Sequence, residues 1–168
     1  ALVRYGIPAL KIASADLTNH DLVSYAAATG VPLILSTGMS TEEEIVETGR
    51  LVRESGTPFV MLHCQSTYPA PFKDVNLRYM ARIGELAGCP VGYSGHERGF
   101  HVPLAAVALG ASVIEKHVTV DRGMEGNDHK VSLLPDELTA MVRQTRELEE
   151  AMGSAAPRAV STGEMMNR

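Results

Sequence analysis

Pro32-Leu33-Ile34-Leu35-Ser36-Thr37-Gly38-Met39-Ser40-Thr41-Glu42-Glu43-Glu44-Ile45 passes from an apolar run, through a short turn, into helix start signals. The run is continuous rather than alternating, as expected of a parallel strand covered on both faces. Ser40 with Glu43, or Thr41 with Glu44, reads as a capping box. Ile45, Thr48, Leu51 and Val52 then share a helix face, and Gly56-Thr57-Pro58 stops the helix. This is one βα unit, and the rest of the chain repeats it. Apolar runs of strand length occur at residues 9–13, 32–35, 59–63, 91–93 and 112–117. The polar residues that follow them, Ser14, Ser36, Ser66, Ser94 and His117, are spaced by 22, 30, 28 and 23 residues. Each step has the length of a strand, a returning helix and two turns.

The remaining helices carry similar punctuation. Asn19 caps a helix bearing Leu22, Val23 and Ala26, which stops at Gly30. Asp74 opens one with Leu77, Met80 and Ile83, closed by Gly88 and Pro90. Pro103 fits a helix start, and Gly110 ends that helix. Pro135-Asp136 opens the longest helix, with Leu138, Met141, Val142, Thr145, Leu148 and Met152 inward. The methionines at helical spacing read as core. Residues 1–153 form one domain, and the Ala/Pro/Ser/Thr-rich residues 154–168 read as a linker.

Five consecutive βα units specify a parallel α/β fold, either an open sheet or part of a (β/α)8 barrel. A barrel needs eight strands, so on that reading the chain is the C-terminal five-eighths of a TIM barrel. The 168 residues carry 15 Lys plus Arg against 20 Asp plus Glu, a formal net charge of −5. That balance argues against a binder of nucleic-acid backbone. The longest nearly apolar stretch, residues 102–114, is short of the roughly 18–20 residues of a membrane span. No secretory pattern is visible, and two cysteines make no disulfide framework, so the expected location is cytoplasmic.

In such folds the C-terminal strand ends share one rim, where sites are built. Here those ends hold Lys11 and Ser14, Ser36, Ser66 and Tyr68, Ser94 and His96, and His117. A lysine and four serines can surround one anion, such as a phosphate or carboxylate. Lys11 as a snorkelling surface lysine is the alternative to an anion partner. His96 and His117 fall on successive strand ends. Two neutral imidazoles there can hold a borderline metal, or serve as satisfied polar histidines. Asp128-His129-Lys130 is a further polar cluster, or a solvated turn. Cys64, flanked by apolar residues, reads as a core thiol, and His20, His63 and His101 as structural or exposed.

In order along the chain stand Lys11-Ile-x-Ser14, Leu35-Ser36-Thr37-Gly38-Met39, Cys64-x-Ser66-x-Tyr68-Pro69 and Asp74-Val75-Asn76-Leu77. They are followed by Gly92-Tyr93-Ser94-Gly95-His96, Ala106-x-Ala108-Leu109-Gly110-Ala111, Glu115-Lys116-His117-x-Thr119 and Asp128-His129-x-x-Ser132-Leu133. Together these strings resemble the sialic acid synthase family: N-acetylneuraminate synthase and its legionaminate, pseudaminate and spore-coat relatives. The resemblance implies a (β/α)8 barrel that condenses phosphoenolpyruvate with an N-acetylated aldose, such as N-acetylmannosamine or a diacetamido sugar, and releases phosphate. It implies a divalent metal, Mn or Mg, on His96 and His117. It places Lys11, Ser14, Ser36, Ser66 and Ser94 around phosphoenolpyruvate, Tyr68 in the pocket wall, and Asp16 and Asp128 as catalytic acids, with Asp128 near a sugar hydroxyl. Asp16 stands where the family usually carries Glu. The resemblance also implies a homodimeric parent protein, with three further βα units and an antifreeze-like domain outside this chain. Two other readings stand beside it: a non-catalytic fragment of such a synthase, and a metal-dependent aldolase of related barrel type.

Overall fold

A computed structural model describes residues 2–168. Five strands form one parallel sheet: β1 (Leu10–Ile12), β2 (Leu33–Ser36), β3 (Phe59–Cys64), β4 (Val91–Gly95) and β5 (Ile114–Lys116). Their spatial order is β1-β2-β3-β4-β5, the same as their order in sequence. An open doubly wound sheet reverses its order at a switch point. Here no reversal occurs, and the five strands make a half-barrel. The expectation of a partial barrel of about five units therefore holds, and β1 and β5 are its two edges.

The helices are α1 (His20–Ala27), α2 (Glu42–Ser55), α3 (Phe72–Val75), α4 (Tyr79–Ala87), α5 (His101–Ala108), α6 (Pro135–Met152) and α7 (Thr162–Met166). Asn19 accepts from the Leu22 amide at the start of α1. Of the two boxes possible ahead of α2, Thr41 with Glu44 forms, each side chain satisfying the other's backbone amide. α1 packs on α2, α2 on α4, and α5 on α6. The central core joins Leu33 and Leu35 of β2, Met61 of β3, Ile45 and Val52 of α2, and Ile83 of α4, each 0–1% exposed. Among the described residues no helix is long and apolar enough to cross a membrane.

Several sequence expectations need correction. Asp74 does not open a long helix: it lies within the one-turn α3, and α4 starts at Tyr79. Asn76, at φ 49° in the left-handed region, separates the two. On α6 only Met141 is buried, while Val142 and Met152 are exposed, because α5 covers a narrow stripe of that helix. The residues read as a linker, 154–168, are exposed and contain α7, started by a Ser161–Glu164 capping box. The chain beyond β5 loops out and returns beside the strand end. There Leu133 donates its amide to the His117 carbonyl at 2.8 Å, and Thr119 donates to the Leu133 carbonyl at 2.9 Å.

Candidate active site

Alternation along a strand sends successive side chains to opposite faces. The register sets Cys64 beside Ser94 and Ser94 beside Glu115. These three face the concave side together. Their neighbours His63, Tyr93 and Ile114 pair in the same ladder and face the helices. The concave side holds a cavity of about 370 Å3, lined by Lys11, Ser14, Ser36, Ser66, Tyr68, Ser94, His96 and His117, with Cys64 and Glu115. All six expected substrate-binding residues and both expected metal ligands thus meet in one place. A larger open cleft of about 980 Å3 runs along α3 and shares only Cys64 with this cavity. It contains none of the strand-end serines.

Lys11 Nζ donates to the Ile12 carbonyl at 2.8 Å and lies 3.5 Å from Glu115 Oε2. Ser94 Oγ donates to Glu115 Oε1 at 2.8 Å. Ser14 Oγ accepts from the Gly38 amide at 3.1 Å. A Cβ at Gly38 would stand 2.1 Å from Ser66 Oγ and 2.8 Å from Ser14 Oγ, so the two hydroxyls close in on bare backbone. Ser36 is 2% exposed and its Oγ has no hydrogen-bond partner. A buried hydroxyl without a partner is costly unless something else satisfies it.

His96 Nδ1 stands 2.9 Å from the Gln65 carbonyl and 3.7 Å from Cys64 Sγ. Its single N–H goes to the nearer carbonyl, which leaves Nε2 as the lone-pair nitrogen. That nitrogen accepts from the Tyr68 hydroxyl at 3.0 Å. Tyr68 reaches this point from the loop that carries the cis Tyr68–Pro69 bond. Burial of Tyr68, with negative charge at Cys64, Asp128 and Glu115, holds its hydroxyl protonated above the usual range. The rings of His96 and His117 are 5.2 Å apart. Burial and the neighbouring His96 push His117 below its ordinary value, toward the neutral form. Burial also pushes His96 down, but the Cys64 sulfur and the Gln65 carbonyl outweigh it and the net shift is upward.

This donor set suits a borderline divalent cation: two imidazole nitrogens side by side, with Asp128 Oδ2 4.0 Å from His117 Nδ1. Among the described residues no tight group of three or more His, Cys, Asp or Glu is formed. An ion on the two histidines would keep open positions for water and substrate, as catalytic metal sites do.

The two expected catalytic acids stand apart from the rest. Asp128 begins a 3-10 turn, largely exposed, and flanks His117 without lining the cavity. Asp16 lies two residues beyond Ser14 in another 3-10 turn, half-buried and outside the lining. Cys64 is a buried thiol, as its apolar flanks imply, and it also lines the cavity wall. Burial pushes its thiol up, while His96, Ser14 and Ser66 more than offset that and hold it below its ordinary value. Sequence reasoning gave no role to Glu115. Its place two residues before His117, on the same face, was the available signal.

The half-barrel thus gathers a lysine, four serines and a histidine pair at the C-terminal ends of its strands. The comparisons identify the family. The model of the NeuB family matches residues 1–157, and this chain belongs to that family. It is similar to N,N'-diacetyllegionaminic acid synthase of Campylobacter jejuni, at 43% identity over 92% of this chain and 47% of that protein. It is 40% identical to human N-acetylneuraminate-9-phosphate synthase over 88% of this chain and 42% of that protein. Among solved structures it superposes on the sialic acid synthetase of Leptospira borgpetersenii with a TM-score of 0.89. That match has 37% identity and covers 99% of this chain and 58% of the other. The chain spans about half the length of the curated relatives it matches.

Proposed function

We propose that this chain carries the catalytic rim of a synthase that condenses phosphoenolpyruvate with an N-acetylated aldose. The products are a 2-keto sugar acid and inorganic phosphate. The observation that carries the reading is the cavity that gathers Lys11, four serines, Tyr68 and two histidines, with the Ser36 hydroxyl buried and unpartnered.

The Lys11 ammonium and the hydroxyls of Ser14, Ser36, Ser66 and Ser94 bind the phosphate and carboxylate of phosphoenolpyruvate. Glu115 holds Lys11 at the wall before the anion arrives, and Ser94 turns its one hydroxyl proton from Glu115 to the anion. His96 and His117 would hold a divalent cation, Mn or Mg, which would supply Lewis-acid polarisation of the open-chain aldehyde when bound. C3 of phosphoenolpyruvate bonds to the aldehyde carbon, whose carbonyl oxygen takes up a proton and becomes a hydroxyl. Water adds to the electron-poor C2 and loses a proton. The C2–O bond to phosphate then breaks as the C2 hydroxyl passes its proton to the departing phosphate, leaving the ketone. Asp128 orients a sugar hydroxyl beside His117 and carries the protons of water and the new hydroxyl.

Purified protein mixed with phosphoenolpyruvate, Mn and N-acetylmannosamine or a diacetamido sugar should release phosphate in a sugar-dependent way. His117→Ala should abolish the release, and so should chelation. Release that survives both would sink this mechanism. A second reading is favoured by the unpaired outer edges of β1 and β5: this chain alone binds the anion without turnover. Saturable phosphoenolpyruvate binding with no sugar-dependent release would identify it.

A further inference from the structure

On the helix-facing side of β4 and β5 lies a buried ion pair that the proposed chemistry does not touch. Lys116 Nζ is 2.9 Å from Glu97 Oε1 and also donates to the Glu97 carbonyl. The Tyr93 hydroxyl donates to Glu97 Oε2 at 2.6 Å. The Lys116 and Glu97 side chains are 1% and 0% exposed, and Tyr93 is 1% exposed. Such a pair is not explained by stability. Desolvating two charges costs about as much as their attraction returns, and apolar replacements are often neutral or better.

Its position supplies a reason. The β4–β5 ladder ends at the pair Gly95 and Lys116. His96 and His117 are the next residues on each strand, just beyond the last ladder pair. Glu97 follows His96 and Lys116 precedes His117, so one ion pair ties together the two segments that carry the imidazoles. Gly95 makes room for it: a Cβ there would stand 2.8 and 2.9 Å from the two Glu97 carboxylate oxygens. A side chain at Gly95 would collide with the carboxylate that Lys116 and Tyr93 hold.

We infer that Tyr93, Glu97 and Lys116 are positioning residues that fix the separation and orientation of His96 and His117 from behind the sheet. This rests on the reading of the two histidines as a divalent-cation site. Outer partners of this kind typically change metal affinity about 10–100-fold.

Cobalt(II) is the probe, read by its visible absorption and by titration, with thermal unfolding in parallel. The triple variant Tyr93→Phe/Glu97→Met/Lys116→Met removes the charges while keeping the volume apolar. We expect it to fold and melt near the wild type, to bind cobalt about 10–100-fold more weakly, and to show shifted bands at saturation. If the triple variant does not fold, Tyr93→Phe alone decides. It frees one Glu97 oxygen with both charges kept, and should weaken cobalt binding several-fold. Cobalt bound by the wild type and lost in His117→Ala keeps the metal reading. The same affinity and spectrum in the deciding variant would then overturn the positioning role alone. No cobalt bound by the wild type would overturn both.

Discussion

The middle of the sheet and its β5 edge are built by the same repeat but held by different physics. In β2 and β3, Leu33, Leu35 and Met61 are fully buried, and α2 and α4 cover them. In β5 Ile114 and Glu115 are only half-buried, while the Lys116 side chain is enclosed by polar groups. What orders that end is polar: the Glu97–Lys116 pair, the Ser94–Glu115 bond and the His117 carbonyl held by Leu133. Hydrophobic burial is non-directional and tolerates small shifts. Hydrogen-bonded charge fixes atoms at defined distances. The half-barrel therefore places its stability at the centre and its geometric definition at the edge where the candidate ligands sit.

That division can be broken by experiment. Leu35→Ala, at the fully buried centre, should cost about 2–5 kcal/mol in denaturant unfolding. Ile114→Ala, half-buried on β5, should cost clearly less. Equal losses would erase the contrast. His63 tests the helix side of the centre through pH. Its ring is buried and its Nε2 donates to the Val75 carbonyl at 2.6 Å, and burial holds it below the ordinary 6.5. The unfolded chain takes up that proton more readily than the folded one, so stability should fall as the pH drops below 6.5 and level off below the folded value. Melting profiles should show a shallower acid slope in His63→Gln. Ser36→Ala examines the rim. It removes an unpartnered hydroxyl, so unfolding free energy should change by less than about 1 kcal/mol while phosphoenolpyruvate binds more weakly. Retained anion affinity would remove Ser36 from the site. Thr41→Ala, at an exposed cap remote from both regions, should cost about 1 kcal/mol and leave ligand binding alone.

Most of the fold was legible because its signals are local. The apolar runs, Asn19, the Thr41–Glu44 box and the glycine stops each act within a few residues. The rim was legible because parallel strands deliver their ends to one side, so Lys11, Ser14, Ser36, Ser66, Ser94, His96 and His117 could be grouped without coordinates. The misses are non-local or conformational. Leu77, Met80 and Ile83 keep helical spacing, and nothing in them reveals that Asn76 turns left-handed. Val142 is apolar at a permitted position, and only the narrow footprint of α5 leaves it exposed. The choice of Glu97 by Lys116, and of Lys11 by Glu115, depends on strands meeting in space. The placement of Asp16 outside the cavity lining depends on the 3-10 turn after β1, which no residue pattern marks.

The two backbone bonds that join Leu133 to His117 and Thr119 close a neck around the loop between them. Lengthening a closed loop costs only logarithmically in chain entropy. Insertions and deletions around Gly123 and Gly126 are thus insulated from His117. Descendants of this chain can vary the length of the segment around Gly123 and Gly126 while Asp128 and the imidazole beside it stay in register.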